Sequence, residues 1–219
     1  MHALRIVSLA IGTAAMLGAG LGWAGQGAPR LAETPGLPLA ADGWARVALQ
    51  PHFARYRSYE SSLIRLRALP QAERIGVLDE VLPQLEAQLA RAPTDSMGWL
   101  VYAQFSAMRG GRLPQAIGGL RMSYYTGRQE MSVSVWRIAP VLWLLPLLPP
   151  DLQREADFEI ERMATPWRTT SILERLTDAA AATGPDRVVR VLSVAARVSS
   201  QSEAVILQRL QSVPQEFFP

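Results

Sequence analysis

PTDSMGWLVYAQFSAMRGGRLPQAIGGLRMSYYTGRQE is the sequence of residues 93–130. Apolar side chains recur at intervals of three and four on both sides of Gly110-Gly111, which is typical of two amphipathic helices. The two glycines supply the left-handed backbone that ends a helix. Thr94 or Asp95 is suited to cap the first helix, and Pro114 fits the first turn of the second. These residues therefore predict a helical hairpin with a tight turn.

The same helical periodicity continues on both sides of this hairpin. Leu78, Leu82, Leu85 and Leu89 keep a helical register before it, although Pro83 lies inside the segment. After it, Thr183-Gly184-Pro185-Asp186 has the composition of a turn that ends one helix and begins the next. The chain is therefore predicted to be all-α, with further helices near residues 71–91, 151–163, 172–180, 188–198 and 201–212.

Four residues of the hairpin carry a family resemblance: Trp99, Ala103, Gly110 and Ala116. Their order and spacing resemble a tetratricopeptide repeat, with the departure that Gly111 lengthens the turn by one residue. The resemblance implies that small residues lie where the two helices cross, and that helix hairpins stack as a short solenoid that binds other proteins. It covers only residues 93–127, and a hairpin that belongs to no family is the alternative.

The N-terminal part of the chain has a different composition. No charged residue lies between Ile6 and Pro29, and small residues before and after Ala24 suit a cleavage site. Residues 1–24 are therefore predicted to be a signal peptide or a retained membrane anchor. Residues 25–43 are rich in proline and glycine, as in a flexible linker. Residues 44–219 are predicted to form the helical-repeat domain.

Residues 131–150 are the most apolar part of the predicted domain, with Arg137 as their one charged residue. Their apolar run is too short, and too interrupted by proline, to span a bilayer. Three interpretations remain open: a buried core helix, a segment that dips into the membrane, or a partner groove lined by Trp136 and Trp143.

The composition argues against several classes of site. Cysteine is absent, the only histidines are His2 and His52, and all 22 basic residues are arginine. No catalytic, cofactor or metal site is therefore predicted. The net charge of +3 is too small to predict binding to nucleic acid. Gly118-Gly119 lies within a predicted helix, where it favours close packing over phosphate binding.

Asp157, Glu159 and Glu161 form an acidic cluster on a predicted amphipathic helix. Residues two apart on a helix point to different faces, so Glu159 and Glu161 make poor partners in acid–base catalysis. The cluster is predicted to be a solvated face. Glu130 and Glu159 are the candidates for a lone catalytic acid if the chain is a helical hydrolase of cell-wall glycan.

The expected function is that of a non-enzymatic adaptor that binds proteins in the bacterial cell envelope, as in a polysaccharide synthesis or secretion assembly. The chain is expected to be periplasmic, or anchored in the inner membrane by an uncleaved N-terminal segment and facing the periplasm. A carrier of a lipid or other apolar ligand and a glycan hydrolase are the alternatives. The candidate partner-binding residues are Tyr102, Arg109, Arg121, Tyr125, Trp136 and Trp143.

Overall fold

A computed structural model describes residues 62–165 and 170–212, and all regular secondary structure in these two ranges is helical. The prediction of an all-α chain is confirmed for them. The predicted leader, the linker, and residues 44–61, 166–169 and 213–219 of the predicted helical-repeat domain lie outside these ranges.

The described residues divide between two compact units, separated between Gln129 and Glu130. The first unit contains the helical residues 62–68, followed by α1 (Gln71–Arg91), α2 (Ser96–Arg109) and α3 (Leu113–Gly127). Helix α1 packs against α2, and α2 packs along α3. The predicted leucine stripe of α1 is buried and continues in phase through Pro83: Leu78, Val81, Leu82, Leu85 and Leu89.

The predicted hairpin is confirmed by α2 and α3. Asp95 is the cap of α2, and its Oδ1 accepts a hydrogen bond from the Gly98 amide at 3.0 Å. Gly110 and Gly111 have φ angles of 75° and 68°, which L-residues with a Cβ rarely adopt. Pro114 lies in the first turn of α3, where a missing amide proton has no helical acceptor to lose.

Small residues let the two helices of the hairpin approach closely. Ala103 and Ala116 are buried, as the sequence predicts. The tightest contact is at Gly119, where an added Cβ would lie 3.0 Å from the backbone nitrogen of Ala103. The Ser123 hydroxyl also donates a hydrogen bond of 2.8 Å to the Ser96 carbonyl, which joins the end of α3 to the start of α2.

The second unit contains the remaining described elements: α4 (Met131–Leu144), a 3-10 turn (Leu145–Leu147), α5 (Pro150–Met163), α6 (Thr170–Thr183), α7 (Pro185–Val198) and α8 (Ser200–Ser212). Helix α4 contacts α5 and α6, and α7 contacts α5, α6 and α8. Helix α6 also contacts α8, so three pairs of helices meet their second neighbour along the chain: α4 with α6, α5 with α7, and α6 with α8.

The apolar stretch 131–150 forms α4, the 3-10 turn and the approach to α5. Its leucine and β-branched residues are largely buried, which confirms the interpretation as a core helix: Val133, Ile138, Val141, Leu142, Leu144, Leu145 and Leu148. Among the helices of residues 62–165 and 170–212, none combines the length and apolar character needed to cross a membrane.

Candidate interaction surface

Helix α3 has one packed face and one exposed face. The packed face lies against α2 and includes Ala116, Leu120 and Tyr124, which are at most 4% exposed. The opposite side carries Gly118, Arg121 and Tyr125, and Arg128, which follows the last residue of α3 in helical backbone, continues this face at the same spacing of three or four residues. We call these four residues the outer face of α3.

Tyr125 is the most exposed large apolar side chain in the described ranges, with 83% of its surface open to solvent. Arg121, one turn before Tyr125, and Arg128, just past the end of α3, are also exposed. An added Cβ at Gly118 would meet no atom within 4 Å, so this end of the face is open backbone. The outer face thus presents an aromatic ring between two cations.

The hairpin carries charges of one sign between Asp95 and Glu130. Residues 96–129 contain no aspartate or glutamate. Arg109 and Arg112, at the turn of the hairpin, are paired with acids of α1: Nε of Arg109 lies 2.7 Å from Asp79, and Nη2 of Arg112 lies 3.4 Å from Glu86. The cations at the turn therefore join α2 and α3 to α1, while those of the outer face lie on the other side of α3.

Tyr102 and Arg109, both proposed from the sequence as partner-binding residues, make contacts within the first unit. Tyr102 is only 7% exposed, and its hydroxyl donates a hydrogen bond of 2.7 Å to Glu86. Its burial, together with that hydrogen bond, raises the pKa of the Tyr102 hydroxyl. Arg109 binds both carboxylate oxygens of Asp79, and this hydrogen bonding lowers the pKa of the Asp79 carboxyl. Both residues thus hold α2 against α1.

Arg121 and Tyr125 are the predicted residues that lie together on an exposed surface. Trp136 and Trp143 belong to α4 of the second unit and are partly exposed. The Arg175 guanidinium lies 5.9 Å from the centroid of the Trp136 ring, a cation–π distance that fixes the tryptophan against α6. The six predicted residues therefore occupy several places, of which the outer face of α3 is the most exposed.

The acidic cluster of α5 is only in part the solvated face that the sequence predicts, because Asp157 and Glu161 are partly exposed but Glu159 is buried. Glu159 is 2% exposed and accepts a hydrogen bond of 3.0 Å from Nε of Arg137, which is itself fully buried. The catalytic acid of a glycan hydrolase must reach the glycosidic bond. In the observed conformation the Glu159 carboxylate is buried, and a glycan cannot reach it. The pair instead joins α5 to α4.

The other two acids of the cluster pair with α7. Asp157 binds Arg190 through two hydrogen bonds, of 2.8 and 3.0 Å. Glu161, one turn further along α5, lies 3.5 Å from Nη2 of Arg197. The three acids of the cluster therefore join α5 to α4 and to α7.

No group of three or more metal-ligating acids and histidines is close enough to hold an ion in the described parts of the chain. No protein-family model matches the sequence, and neither a curated protein nor a solved structure is significantly similar to it.

Two features of these sites were not identified from the sequence. Arg128 follows Arg121 by seven residues and shares its face, a spacing that was visible in the sequence. Glu159 lies in phase with the apolar residues Leu152, Ala156 and Met163, so its helical position already indicated burial. At both positions, the helical periodicity indicated whether the residue is exposed or buried better than its charge did.

Proposed function

We propose that the chain is a non-enzymatic adaptor of the bacterial cell envelope, built from stacked helix hairpins and binding partner proteins outside the cytoplasm. The observation that carries the proposal is the outer face of α3, with Tyr125 83% exposed between two exposed arginines. Tyrosine and arginine are the residue types that, with tryptophan, most often dominate the binding energy of protein interfaces.

Two features support the stacked arrangement. In the second unit, α5 contacts α7 and α6 contacts α8, as expected when one helix pair packs on the next. Each of these contacts carries a paired aspartate and arginine, Asp157 with Arg190 and Asp178 with Arg209. The sequence resemblance to tetratricopeptide repeats, in the first unit, is consistent with the same architecture.

Affinity purification of the full-length chain from gently solubilised membranes tests the proposal. We expect stable protein partners to be recovered with the natural chain and with a Val189→Ser variant, since Val189 is 65% exposed in the second unit. A Tyr125→Ser variant is expected to recover the partners at least tenfold less well, because it removes the aromatic anchor.

Recovery of no partner by the natural chain would contradict the adaptor function. Equal recovery by the Tyr125→Ser and Val189→Ser variants would show that partners bind elsewhere. Circular dichroism of both variants is the control for folding, and both are expected to keep the natural helical spectrum because each substitution is on an exposed side chain.

A further inference from the structure

We propose that one face of α4, in the second unit, contacts the surface of a lipid bilayer. This inference goes beyond the proposed adaptor function, because it concerns the other unit and a lipid surface instead of a partner protein. It is carried by three observations: the absence of charge from this face, its two tryptophans, and the small number of side chains that it offers.

The side chains of α4 divide between two sides of the helix. One side is buried and contains Arg137, whose charge is paired with that of Glu159. The residues of the opposite side recur at intervals of three and four, and residues at that spacing are neighbours on a helix. None of them is buried, and we call them the outer face of α4: Ser132, Val135, Trp136, Ala139, Pro140 and Trp143.

No side chain on the outer face of α4 carries a charge. Arg137 is the only charged residue in residues 131–150, and it lies on the buried side. Beyond the end of α4, Leu147 in the 3-10 turn adds an apolar side chain that is 56% exposed. Moving an apolar surface out of water is favourable, whereas moving a charged side chain into a bilayer is costly. An uncharged face is therefore suited to contact with lipid.

The two tryptophans of this face are of the type that membrane interfaces favour. Trp136 and Trp143 are seven residues apart, about 10 Å along the helix axis, and both are partly exposed. Tryptophan is enriched where the hydrocarbon meets the headgroups, because its ring is apolar and its N–H needs a polar partner. The Arg175 guanidinium lies 5.9 Å from the Trp136 centroid, so a cation accompanies the ring, and anionic headgroups attract cations.

The size of the face favours a bilayer over a protein. A stable interface between proteins has about 20–30 residues on each side. The outer face of α4 and Leu147 offer seven, and most of these are already partly buried within the chain. A second copy of the chain or a partner protein needs a larger surface than this. A bilayer does not, because a chain that is held at the membrane by a retained N-terminal anchor meets the lipid at high effective concentration.

Site-specific fluorescence tests the proposal, because the chain has no cysteine and one introduced thiol can be labelled uniquely. Leu147→Cys places the fluorophore NBD beside the outer face of α4, and Val189→Cys places it on an exposed site of α7 as the control. Each full-length protein is incorporated into vesicles of phosphatidylcholine and phosphatidylglycerol, with and without nitroxide-labelled lipid. We expect the nitroxide to quench the label at position 147 by at least about twofold, because interfacial side chains lie at the boundary of headgroups and acyl chains. The label at position 189 is expected to be nearly unaffected.

A charge introduced at the end of the face then tests whether its apolar character matters. The label is moved to Ser132→Cys, at the opposite end of α4 from Leu147. Leu147→Glu is expected to reduce the quenching at position 132 by at least about twofold, because a carboxylate resists entry into the bilayer. Val189→Glu is the matched control and is expected to leave the quenching unchanged. Both substitutions replace exposed side chains, and circular dichroism checks that the helical spectrum is kept.

Equal quenching at positions 147 and 189, or quenching at neither, would overturn the proposal. Quenching at position 132 that Leu147→Glu leaves unchanged would overturn it as well. A label at position 147 with blue-shifted emission that nitroxide lipid does not quench would show that protein covers the face, which also contradicts lipid contact. In each of these cases, recovery of partners by affinity purification would leave the adaptor function intact.

Discussion

Gly118 and Gly119 are neighbours in α3 that the sequence does not distinguish, but the structure gives them opposite roles. At Gly119 an added Cβ would lie 3.0 Å from the Ala103 nitrogen and 3.0 Å from Cδ1 of Tyr102, and backbone cannot move aside cheaply. At Gly118 the same Cβ would enter open space. Gly119 is required by the crossing of α2 and α3, whereas Gly118 weakens the helix without serving this crossing.

We expect Gly119→Ala to destabilise the chain by about 1 kcal/mol, because the overpacking cost of about 1–3 kcal/mol exceeds the gain in helix propensity. Gly118→Ala is expected to stabilise it by about 0.5–1 kcal/mol, since only the propensity changes. Urea denaturation followed by circular dichroism measures both. Equal effects of the two substitutions would mean that the helices are further apart than the structure shows.

The Tyr102 hydroxyl makes the free energy of unfolding of the first unit decrease at alkaline pH. Its pKa is raised by burial and by the hydrogen bond to Glu86. The neutral hydroxyl is therefore favoured in the folded chain, and its contribution is fully present below the ordinary tyrosine pKa of 10.0. The contribution is lost as the pH rises from there through the folded-state value, because the unfolded chain releases its proton first.

We therefore expect the natural chain to lose stability above pH 10, and Tyr102→Phe to lose less over the same range. Since the chain has no lysine, tyrosines are the side chains that titrate near this pH. Tyr125→Phe is the matched control, because the Tyr125 hydroxyl is on an exposed side chain. Thermal melts between pH 8 and 11 measure the effect, which is absent if the hydroxyl of Tyr102 is not buried.

At the scale of helices, the buried pair of Arg137 and Glu159 joins α4 to α5. The two side chains are 0% and 2% exposed. Removing one partner from a buried ion pair leaves the other charge without compensation, which costs about 3–5 kcal/mol, whereas replacing both by apolar residues is often nearly neutral.

Arg137→Met and Glu159→Met are therefore each expected to destabilise the chain by about 3 kcal/mol or more, and the double variant by less than either. Chemical denaturation of the four proteins closes the double-mutant cycle. Additive losses would show that the two side chains do not interact. Arg190→Met, which breaks a half-exposed pair with Asp157, is the control and is expected to cost about 1 kcal/mol or less.

The helices that could be predicted from the sequence are those whose signals are local. The hairpin of α2 and α3 was predictable because its cap, its glycine turn and its apolar stripes all lie within residues 93–130. The burial of Glu159 was not predicted, because its partner is 22 residues away on a different helix. Periodicity placed Glu159 on the apolar stripe, but only the position of Arg137 explains how a charge can be buried there.

The same limit applies to the candidate interaction surface. Arg121 and Tyr125 were predictable as neighbours on one helix face, four residues apart. Tyr102 was predicted for the same surface, yet it lies on the side of α2 that contacts Glu86 of α1. Which face of a helix is covered depends on the helices around it, and the sequence of the hairpin alone does not contain that information.

At the scale of the whole molecule, each described unit combines apolar packing with ion pairs between helices. The first has the close backbone contact at Gly119, the leucine stripe of α1 and two exposed pairs that join α1 to the hairpin. The second has two partly exposed pairs and adds the buried pair of Arg137 and Glu159. We expect high salt to weaken the exposed pairs of both units and to have much less effect on the buried pair.

The adaptor function requires the folded units to be outside the cytoplasm, and the uncharged stretch between Ile6 and Pro29 is the sequence feature that predicts export. We expect alkaline phosphatase fused after residue 219 to be active in cells, and to lose activity when residues 1–24 are deleted, because the enzyme requires an oxidising compartment. Green fluorescent protein can be fused after residue 219 instead. Full fluorescence of that fusion in the cytoplasm would contradict export. The mass of the mature chain then distinguishes cleavage after Ala24 from a retained anchor.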